Sequence, residues 1–238
     1  MKGAWVCENE MKFVEVTLEQ YMQSTPYLRK FAWFVGRAGS GKSSLQRALS
    51  REFSARRKKT VYYEAKAVDP MGILTKEGKM DEFGAIMISD YAMTSLMNTS
   101  LDEEDKKSLF QPEERGSVKA RYHTAVIPLH MPRTFSCNAN NDAQGNANPG
   151  GYFDFNDMPG LAAVARGDIN AVRASGDAEI AIARRCIVFV IPERLKLAID
   201  NKTKEKELQA IVDEQLEAVR MSREWKSESE HACVCAEL

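Results

Sequence analysis

The feature that most constrains the fold is the glycine-rich segment Gly36–Ser43, which reads Gly-Arg-Ala-Gly-Ser-Gly-Lys-Ser and matches G-x-x-x-x-G-K-[ST] in full. The apolar run 31–36 leads into it, and apolar residues at helical spacing follow from Lys42 to about Ala55. The segment therefore predicts a tight turn between a buried strand and a helix. Its three glycines let backbone N–H groups converge on one point, where the positive end of the helix also favours an anion.

This arrangement predicts a site for a nucleoside triphosphate. Lys42 is expected to reach the β- and γ-phosphates, and the Ser43 hydroxyl to ligate Mg²⁺. ATP and Mg²⁺ are therefore the expected cofactors. The predicted cofactor-binding residues are the loop and the residue after it: Gly36, Arg37, Ala38, Gly39, Ser40, Gly41, Lys42, Ser43 and Ser44.

The rest of the chain alternates between strand and helix patterns, which predicts a three-layer α/β fold of the P-loop NTPase type with a mostly parallel central sheet. Further buried strands are predicted at 60–66, 83–90 and 186–191, extended segments at 118–129 and 133–137, helices at 160–173 and 177–183, and a loop at 138–151. Apolar residues at helical spacing predict a C-terminal amphipathic helix over roughly 200–224. The predicted organisation is a lead-in (1–27), an ATPase domain (28–192), and a C-terminal helix and tail (193–238).

Composition and charge narrow the class of protein. Of the 238 residues, 44% are hydrophobic and 28% charged, a balance that excludes a chain disordered throughout. No apolar run approaches the roughly 18 residues of a spanning helix, and no secretory signal is recognised, so we expect no membrane contact. Five cysteines without a framework spacing favour an intracellular location, cytoplasmic or nuclear. Residues 28–60 hold ten Lys or Arg and one acid, which suggests an anionic ligand, although such a run also solvates helix ends.

Three further candidate features follow the glycine-rich segment in chain order. Asp90 comes just after an apolar run, so its carboxylate is expected at the edge of the sheet where it can share the metal with Ser43. Asn138 ends the segment 133–137 and can orient water beside the γ-phosphate, although Asn is also a common turn residue. The doublet Arg184-Arg185 precedes the last strand, and an arginine supplied across a subunit boundary stabilises a transferring phosphoryl group.

These features, in this order, resemble the superfamily 3 helicases, AAA+-type ATPases of the replication proteins of small viruses and related mobile elements. The resemblance covers roughly residues 28–192. Its most specific part is the segment Val118-Lys-Ala-Arg-Tyr-His-Thr-Ala-Val-Ile-Pro128 leading into Pro132–Asn138, which is similar to that family's basic hairpin and sensor strand. The resemblance makes Gly36–Ser43 the Walker A loop and places Asp90 in the Walker B strand.

The resemblance also implies roles for the remaining candidates. Asn138 becomes the sensor asparagine, and either Arg184 or Arg185 the arginine finger. Such a finger requires a head-to-tail ring, which the resemblance makes a homohexamer. Lys119, Arg121 and His123 become the hairpin residues that grip single-stranded DNA or RNA, and their alternation puts them on one face of an extended strand. The implied activity is ATP hydrolysis coupled to movement along that strand.

Two other functions remain open from the sequence. The family's Walker B strand usually ends in two adjacent acids, whereas Ser89 stands before Asp90 here. A module that binds ATP only to assemble, without hydrolysis, is therefore one alternative. The other is a nucleotide or nucleoside kinase, in which Arg115, Arg121 and Arg133 form a lid that clamps phosphates.

Overall fold

The computed structural model describes residues 1–7, 10–23, 30–65, 80–89, 102–113, 115–119, 124–138, 140–141, 147–148 and 159–191, and six separate positions between 206 and 217. The strands are β1 (Lys2–Val6), β2 (Phe13–Thr17), β3 (Phe31–Gly36), β4 (Val61–Glu64), β5 (Phe83–Ile88), β6 (Gly116–Lys119), β7 (Thr124–Ile127), β8 (Arg133–Asn138), β9 (Asn140–Asn141), β10 (Ala147–Asn148) and β11 (Cys186–Ile191). The helices are α1 (Leu18–Gln23), α2 (Lys42–Arg56), α3 (Glu103–Leu109), α4 (Pro159–Arg166), α5 (Ile169–Arg173) and α6 (Asp177–Arg185), and a 3₁₀ turn lies at Met80–Glu82.

Seven of the strands form one sheet in the order β2-β1-β11-β3-β8-β5-β4. The five strands from β11 to β4 are parallel, while β1 runs antiparallel to β11 and β2 antiparallel to β1. Counted in chain order, the five parallel strands lie 5-1-4-3-2 across the sheet. The predicted α/β fold with a mostly parallel central sheet is therefore confirmed. The carboxyl ends of the five strands meet at one edge, which we call the carboxyl edge, and the opposite side is the amino edge.

Alternating side chains of the central strand β3 enter two separate cores. Phe31, Trp33 and Val35 join a large core with residues of α3, α4, α6 and the β6–β7 hairpin. Ala32 and Phe34 join a smaller core with residues of α1 and α2. A parallel strand that is covered on both faces has no solvated side and is apolar throughout, which explains the unbroken apolar run 31–36. The sheet thus lies between two layers.

Helix α2 contacts the sheet through polar as well as apolar side chains. Gln46 is fully buried and donates Nε2 to the carbonyl oxygens of Ile88 (2.9 Å) and Thr134 (2.8 Å). Ser50 Oγ lies 3.0 Å from Thr134 Oγ1, and Ser54 Oγ donates to the Ser50 carbonyl at 2.9 Å. These bonds attach the helix to two neighbouring strands at defined positions.

The segment 1–27, predicted as a lead-in, contributes two strands and a helix to the main layers. β1 and β2 extend the sheet beyond β11, and Tyr21 and Met22 of α1 are buried in the smaller core. These strands are five residues each, and the alternating pattern Phe-Val-Glu-Val-Thr of β2 is half-buried. Such short, partly exposed edge strands give a weak sequence signal.

The prediction of one continuous helix over 160–173 is wrong, because the helix is interrupted near its middle. The structure has two helices, α4 and α5, separated by Gly167 with a positive φ of 70°. The Asp168 side chain accepts a hydrogen bond from the Ala171 backbone N–H at 3.0 Å and so begins a new helix. The glycine in a left-handed conformation ends the first helix, and the capping Asp that follows it begins the second.

Three other predicted segments also need adjustment. The extended segment 118–129 is an antiparallel hairpin, in which β6 pairs with β7 in a register that joins Gly116 to Ile127. The loop 138–151 contains a two-residue antiparallel ladder between β9 and β10. Within the predicted C-terminal helix, the described positions 206, 207, 210, 213, 214 and 217 are helical and exposed. The apolar residues that define that helix in the sequence lie outside the described residues.

Candidate functional site

The glycine-rich loop, residues 36–43, follows β3 at the carboxyl edge and leads directly into α2. Gly39 and Gly41 have positive φ values of 79° and 84°, which residues with a Cβ rarely adopt. The backbone N–H of Ser40 donates to the Arg37 carbonyl at 3.2 Å, closing a turn, and that of Leu45 donates to the Gly41 carbonyl at 3.0 Å as the helix starts. The glycines therefore let the chain reverse within four residues and present a helix N-terminus at the end of the strand.

The base of this loop is tightly packed. A Cβ on Gly36 would come within 2.7 Å of the Ile191 carbonyl oxygen on β11 and within 2.9 Å of Ser40 Oγ. Ser40 is 3% exposed, and its Oγ has no hydrogen-bond partner among the described residues. By contrast, the position of a Cβ on Gly39 has no atom of the described residues within 4 Å. The loop is thus closed at its base and open at its tip, with an unpaired hydroxyl between them.

Lys42 connects the loop to the neighbouring strand. Its Nζ donates to the Arg37 carbonyl and to Asn138 Oδ1, both at 2.8 Å, and the residue is only 5% exposed. Both acceptors are neutral oxygen atoms. The ammonium group therefore lies across the loop, between its first turn and the end of β8.

Among the predicted residues outside the loop that the structure describes, Asn138 is in direct contact with the loop. It ends β8 and is the register partner of Gly36, which ends β3. The two positions predicted from separate parts of the sequence, Lys42 and Asn138, are in direct contact. This contact depends on β8 being adjacent to β3, a feature of the strand order that the sequence pattern does not specify.

The remaining loop residues lie around this contact. Arg37 and Ser44 are half-buried, whereas Ala38 and Ser43 are exposed. Ser43 occupies the first turn of α2, as its predicted role as a metal ligand requires. Asp90 lies outside the described residues, although β5, the strand that leads to it, ends at the same edge. Among the residues that the structure describes, no group of three or more His, Cys, Asp or Glu side chains could hold a metal ion.

One residue near the loop was missed by the sequence analysis. Gln46, one helical turn after Lys42, attaches α2 to both β5 and β8 through its two hydrogen bonds. Its signal in the sequence is a polar side chain on the face of α2 that also carries Leu45 and Leu49. Because an uncharged amide is common on helix surfaces, its position alone does not separate it from a solvated residue.

Arg184 and Arg185 lie at the opposite side of the sheet. They end α6, and the next residue, Cys186, is paired with Phe31 at the amino end of β3. The length of β3 separates them from the loop of the same chain, roughly 15–20 Å at about 3.3 Å per residue. Neither arginine therefore reaches the loop of its own chain, and a role at a phosphate requires a second chain.

The hairpin carries the predicted nucleic-acid residues. The backbone of Lys119 ends β6, and Val118, Ala125 and Ile127 are buried in the larger core, so the base of the hairpin is anchored. Arg121 and His123 lie outside the described residues. The prediction that Lys119, Arg121 and His123 share an exposed face stays a prediction.

Arg133, a lid residue in the kinase alternative, is buried inside the protein. It is 0% exposed, its guanidinium carbon lies 4.9 Å from the Phe31 ring centroid, and Nη1 donates to the Gln111 carbonyl at 3.3 Å. Burial lowers the pKa of Arg133 to about 9, while the charge of Glu113 acts in the opposite direction. Burial also raises the pKa of the thiol of Cys186, which begins β11 on the other side of β3, against the charges of Lys30 and Arg185. Arg133 is thus a structural cation at the amino edge.

Comparison with known proteins assigns the chain to no family. No family model matches it, and no curated protein or solved structure matches it either. In the described part of the chain, no helix is both long enough and apolar enough to cross a membrane.

Proposed function

We propose that the protein is an ATP-binding and ATP-hydrolysing motor that acts on single-stranded nucleic acid, similar to a superfamily 3 helicase. The observation that carries the proposal is the 2.8 Å hydrogen bond from Lys42 Nζ to Asn138 Oδ1. It joins the glycine-rich loop to the end of the strand that the resemblance identifies as the sensor strand.

The loop has the properties that a triphosphate requires. Left-handed glycines, an open tip, the unpaired Ser40 hydroxyl and the first turn of α2 together offer hydrogen-bond donors and a positive field. When bound, ATP supplies the phosphoryl group and Mg²⁺ neutralises its charge. The residues proposed to hold them are Gly36–Ser44 for the nucleotide, and Ser43 with Asp90 for the metal ion.

Lys42 and Asn138 exchange partners in this proposal. Two acceptors of Lys42 Nζ are a backbone carbonyl and an amide oxygen, and a phosphate oxygen is a stronger acceptor than either because it is charged. Moving Lys42 onto a phosphate breaks its hydrogen bond with Asn138 Oδ1. Asn138 is then able to orient a water molecule at the same edge, which is the sensor role.

The placement of Arg184 and Arg185 supports a head-to-tail assembly. Since neither side chain reaches the loop of its own chain, an arginine contribution to phosphoryl transfer comes from a neighbouring subunit. Repeating one such heterologous contact around a closed rotation gives a ring, and we propose a hexamer. The hairpin of residues 116–127 then faces nucleic acid through Lys119, Arg121 and His123.

The kinase alternative is weakened by Arg133, because a fully buried side chain cannot close over a substrate. The assembly module remains the second candidate, and the observation that favours it is Ser89. A single acid after β5 leaves one carboxylate to serve both the metal ion and the attacking water.

Turnover of ATP, measured with and without a single-stranded oligonucleotide, tests the proposal when molar mass is recorded in the same buffer. We expect hydrolysis that the oligonucleotide stimulates and a mass six times that of the 26.7 kDa chain. Replacing both Lys119 and Arg121 with Ala should weaken oligonucleotide binding and reduce the magnitude of the slope of log affinity against log salt by about 1.4, because each phosphate contact contributes about 0.7 on a single strand.

Each of the other possible results argues for a different function or removes one part of the proposal. A monomer that does not bind ATP at millimolar concentration overturns the proposal. Binding and assembly without turnover identify the assembly module, and phosphate transfer to a nucleoside by a monomer or dimer identifies a kinase. An unchanged salt slope in the double variant removes the hairpin from the nucleic-acid site.

A further inference from the structure

The amino edge contains an ion pair that links α6 to the segment before the hairpin. Arg185 Nε lies 3.6 Å from Glu113 Oε2, and the two side chains are 27% and 48% exposed. Arg185 Nη1 also donates to the Ala181 carbonyl at 3.2 Å. Two contacts therefore fix the orientation of the guanidinium group: one with a carbonyl of its own helix and one with a carboxylate outside that helix.

The segment that carries Glu113 is attached to the base of the hairpin. The Pro112 carbonyl accepts a hydrogen bond from the His130 backbone N–H at 3.0 Å, just beyond β7. The Gln111 carbonyl accepts one from Arg133 Nη1 at the start of β8. Both partners belong to the chain that leaves the hairpin, whereas β6, which enters it, begins at residue 116. Glu113 directly follows the two bonded residues, and it is therefore close in the chain both to these bonds and to the start of β6.

Arg184, the adjacent candidate, has different partners. Its Nη2 lies 3.3 Å from Met11 Sδ, in the connection between β1 and β2, and its carbonyl accepts a hydrogen bond from Lys30 Nζ at 2.6 Å. These contacts attach α6 to the β1–β2 connection and to the residue that precedes β3. Arg184 thus has no described connection to the hairpin, whereas Arg185 has one through Glu113.

We infer that Arg185 is the arginine that enters the neighbouring subunit's nucleotide site, and that Glu113 is the positioning residue that couples this arginine to the hairpin. The inference rests on the proposed function. A partly exposed ion pair of this length contributes little to stability, so it can be exchanged for a phosphate of the neighbouring site. Nucleic acid on the hairpin moves residues 111–113 and thereby sets whether Glu113 holds or releases Arg185.

The experiment compares Glu113→Gln with the native chain, with Glu113→Asp, and with the control Glu104→Gln. Glu104 is an exposed acid in α3 paired with Lys107 at 2.9 Å, so its replacement removes the same charge without contact to Arg185. The measured quantity is the affinity for a single-stranded oligonucleotide with and without a non-hydrolysable ATP analogue, together with analogue affinity and the kcat and KM of hydrolysis.

In the native chain we expect the analogue to change oligonucleotide affinity by about 5-fold or more, the usual lower range of coupling between two sites. Glu113→Gln should remove most of this ratio and raise the kcat without oligonucleotide toward the stimulated value, because Arg185 is then no longer held, while the affinity for the analogue alone stays unchanged. Glu113→Asp should restore part of the ratio, and Glu104→Gln should keep all of it. A merely structural role would not separate the ratio from analogue binding in this way.

A Glu113→Gln variant with the native ratio overturns the inference, as does an equal loss in Glu104→Gln. So does a Glu113→Gln chain that loses analogue binding together with its thermal transition, because that result gives Glu113 a structural role. A native chain that does not bind the analogue overturns the proposed function instead, and the inference with it. The two failures are therefore distinguishable in the same set of samples.

Discussion

The two edges of the central sheet both carry cations, but the surroundings of those cations differ. At the carboxyl edge, Lys42 donates hydrogen bonds to two neutral oxygen atoms, Arg37 O and Asn138 Oδ1, both at 2.8 Å, and it lies beside glycines in left-handed conformations. At the amino edge, the Lys30 ammonium lies 3.9 Å from the Trp5 ring centroid and the Arg133 guanidinium 4.9 Å from the Phe31 centroid. An incoming phosphate can replace neutral oxygen acceptors, whereas a cation packed on a ring is fixed by the core.

Under the proposed function, this difference separates the cation that is proposed to bind a ligand from cations that hold the fold together. Arg185 belongs to neither group. It is paired with the carboxylate of Glu113, which is half-exposed, so a phosphate can take the place of that carboxylate. A count of basic residues along the sequence cannot make this distinction, since all of them contribute equally to local charge. Three substitutions test it, beginning with the one of largest expected effect.

Replacing Arg185 with Ala should lower kcat by about 10³-fold or more, the usual contribution of an arginine finger, with nucleotide affinity nearly unchanged. The decisive measurement mixes this variant with Lys42→Ala, which keeps Arg185 but lacks the loop lysine. Mixed assemblies contain sites with an intact loop from one chain and an intact arginine from the next, so part of the activity should return. Two inactive variants that stay inactive when mixed would show that Arg185 does not act across a boundary. Arg184→Ala serves as the matched control and should retain most of the activity.

Replacing Lys42 with Ala should weaken ATP binding by about 100-fold, since losing hydrogen bonds from a charged donor costs up to about 3 kcal/mol. Titration calorimetry with a non-hydrolysable analogue measures this effect. Arg47→Ala is the control on the same helix: its guanidinium is about half exposed and lies 3.7 Å from Glu64, away from the loop. Equal losses of ATP affinity in Lys42→Ala and Arg47→Ala would mean that ATP responds only to the total positive charge of α2, and not to a specific contact with Lys42.

Replacing Arg133 with Met should leave nucleotide affinity unchanged and raise the free energy of unfolding by about 1 kcal/mol at neutral pH. The reason is that a buried charge without full compensation costs more than an apolar side chain of similar size. Nε and Nη2 of Arg133 are buried without a hydrogen-bond partner in the part of the chain that the structure describes. Denaturant titration measures the change. Loss of ATP binding in this variant would instead support the kinase lid.

The gain in the free energy of unfolding from Arg133→Met should depend on pH, in a direction that follows from the pKa of Arg133. The pKa of Arg133 is about 9 in the folded chain, well below the ordinary value of an arginine, because the side chain is buried. Above the folded pKa the unfolded chain binds more protons than the folded chain, so the contribution of this group to stability rises with pH. The advantage of Arg133→Met should therefore shrink as pH increases from 8 to 10. A constant difference over that range would show that burial of the charge is not the cause.

The sequence predicted the elements around the loop because each has a strong local signal. The run 31–36 is β3, and the helix expected from Lys42 to about Ala55 is α2, which ends one residue later. The strand 186–191 is β11 without change. Glycines, continuous apolar runs and helical spacing act within a few residues, so they can be recognised without knowledge of the rest of the chain.

Features that depend on distant parts of the chain could not be predicted in the same way. The contact of Lys42 with Asn138 requires β8 to lie beside β3, which follows from strand order. The burial of Arg133 depends on Phe31 and Gln111, which are remote in sequence. The roles of Arg121 and His123 are untested because these residues lie outside the described part, and the same is true of Asp90.

The hydrogen bonds of Gln46 and Ser50 have a mechanical consequence. Apolar surfaces can slide over one another at little cost, whereas directional bonds to the Ile88 and Thr134 carbonyls break when the helix shifts by a fraction of its pitch. Helix α2 and strands β5 and β8 are therefore joined into one rigid unit. We therefore expect a displacement of the first turn of that helix to carry β5 and β8 with it.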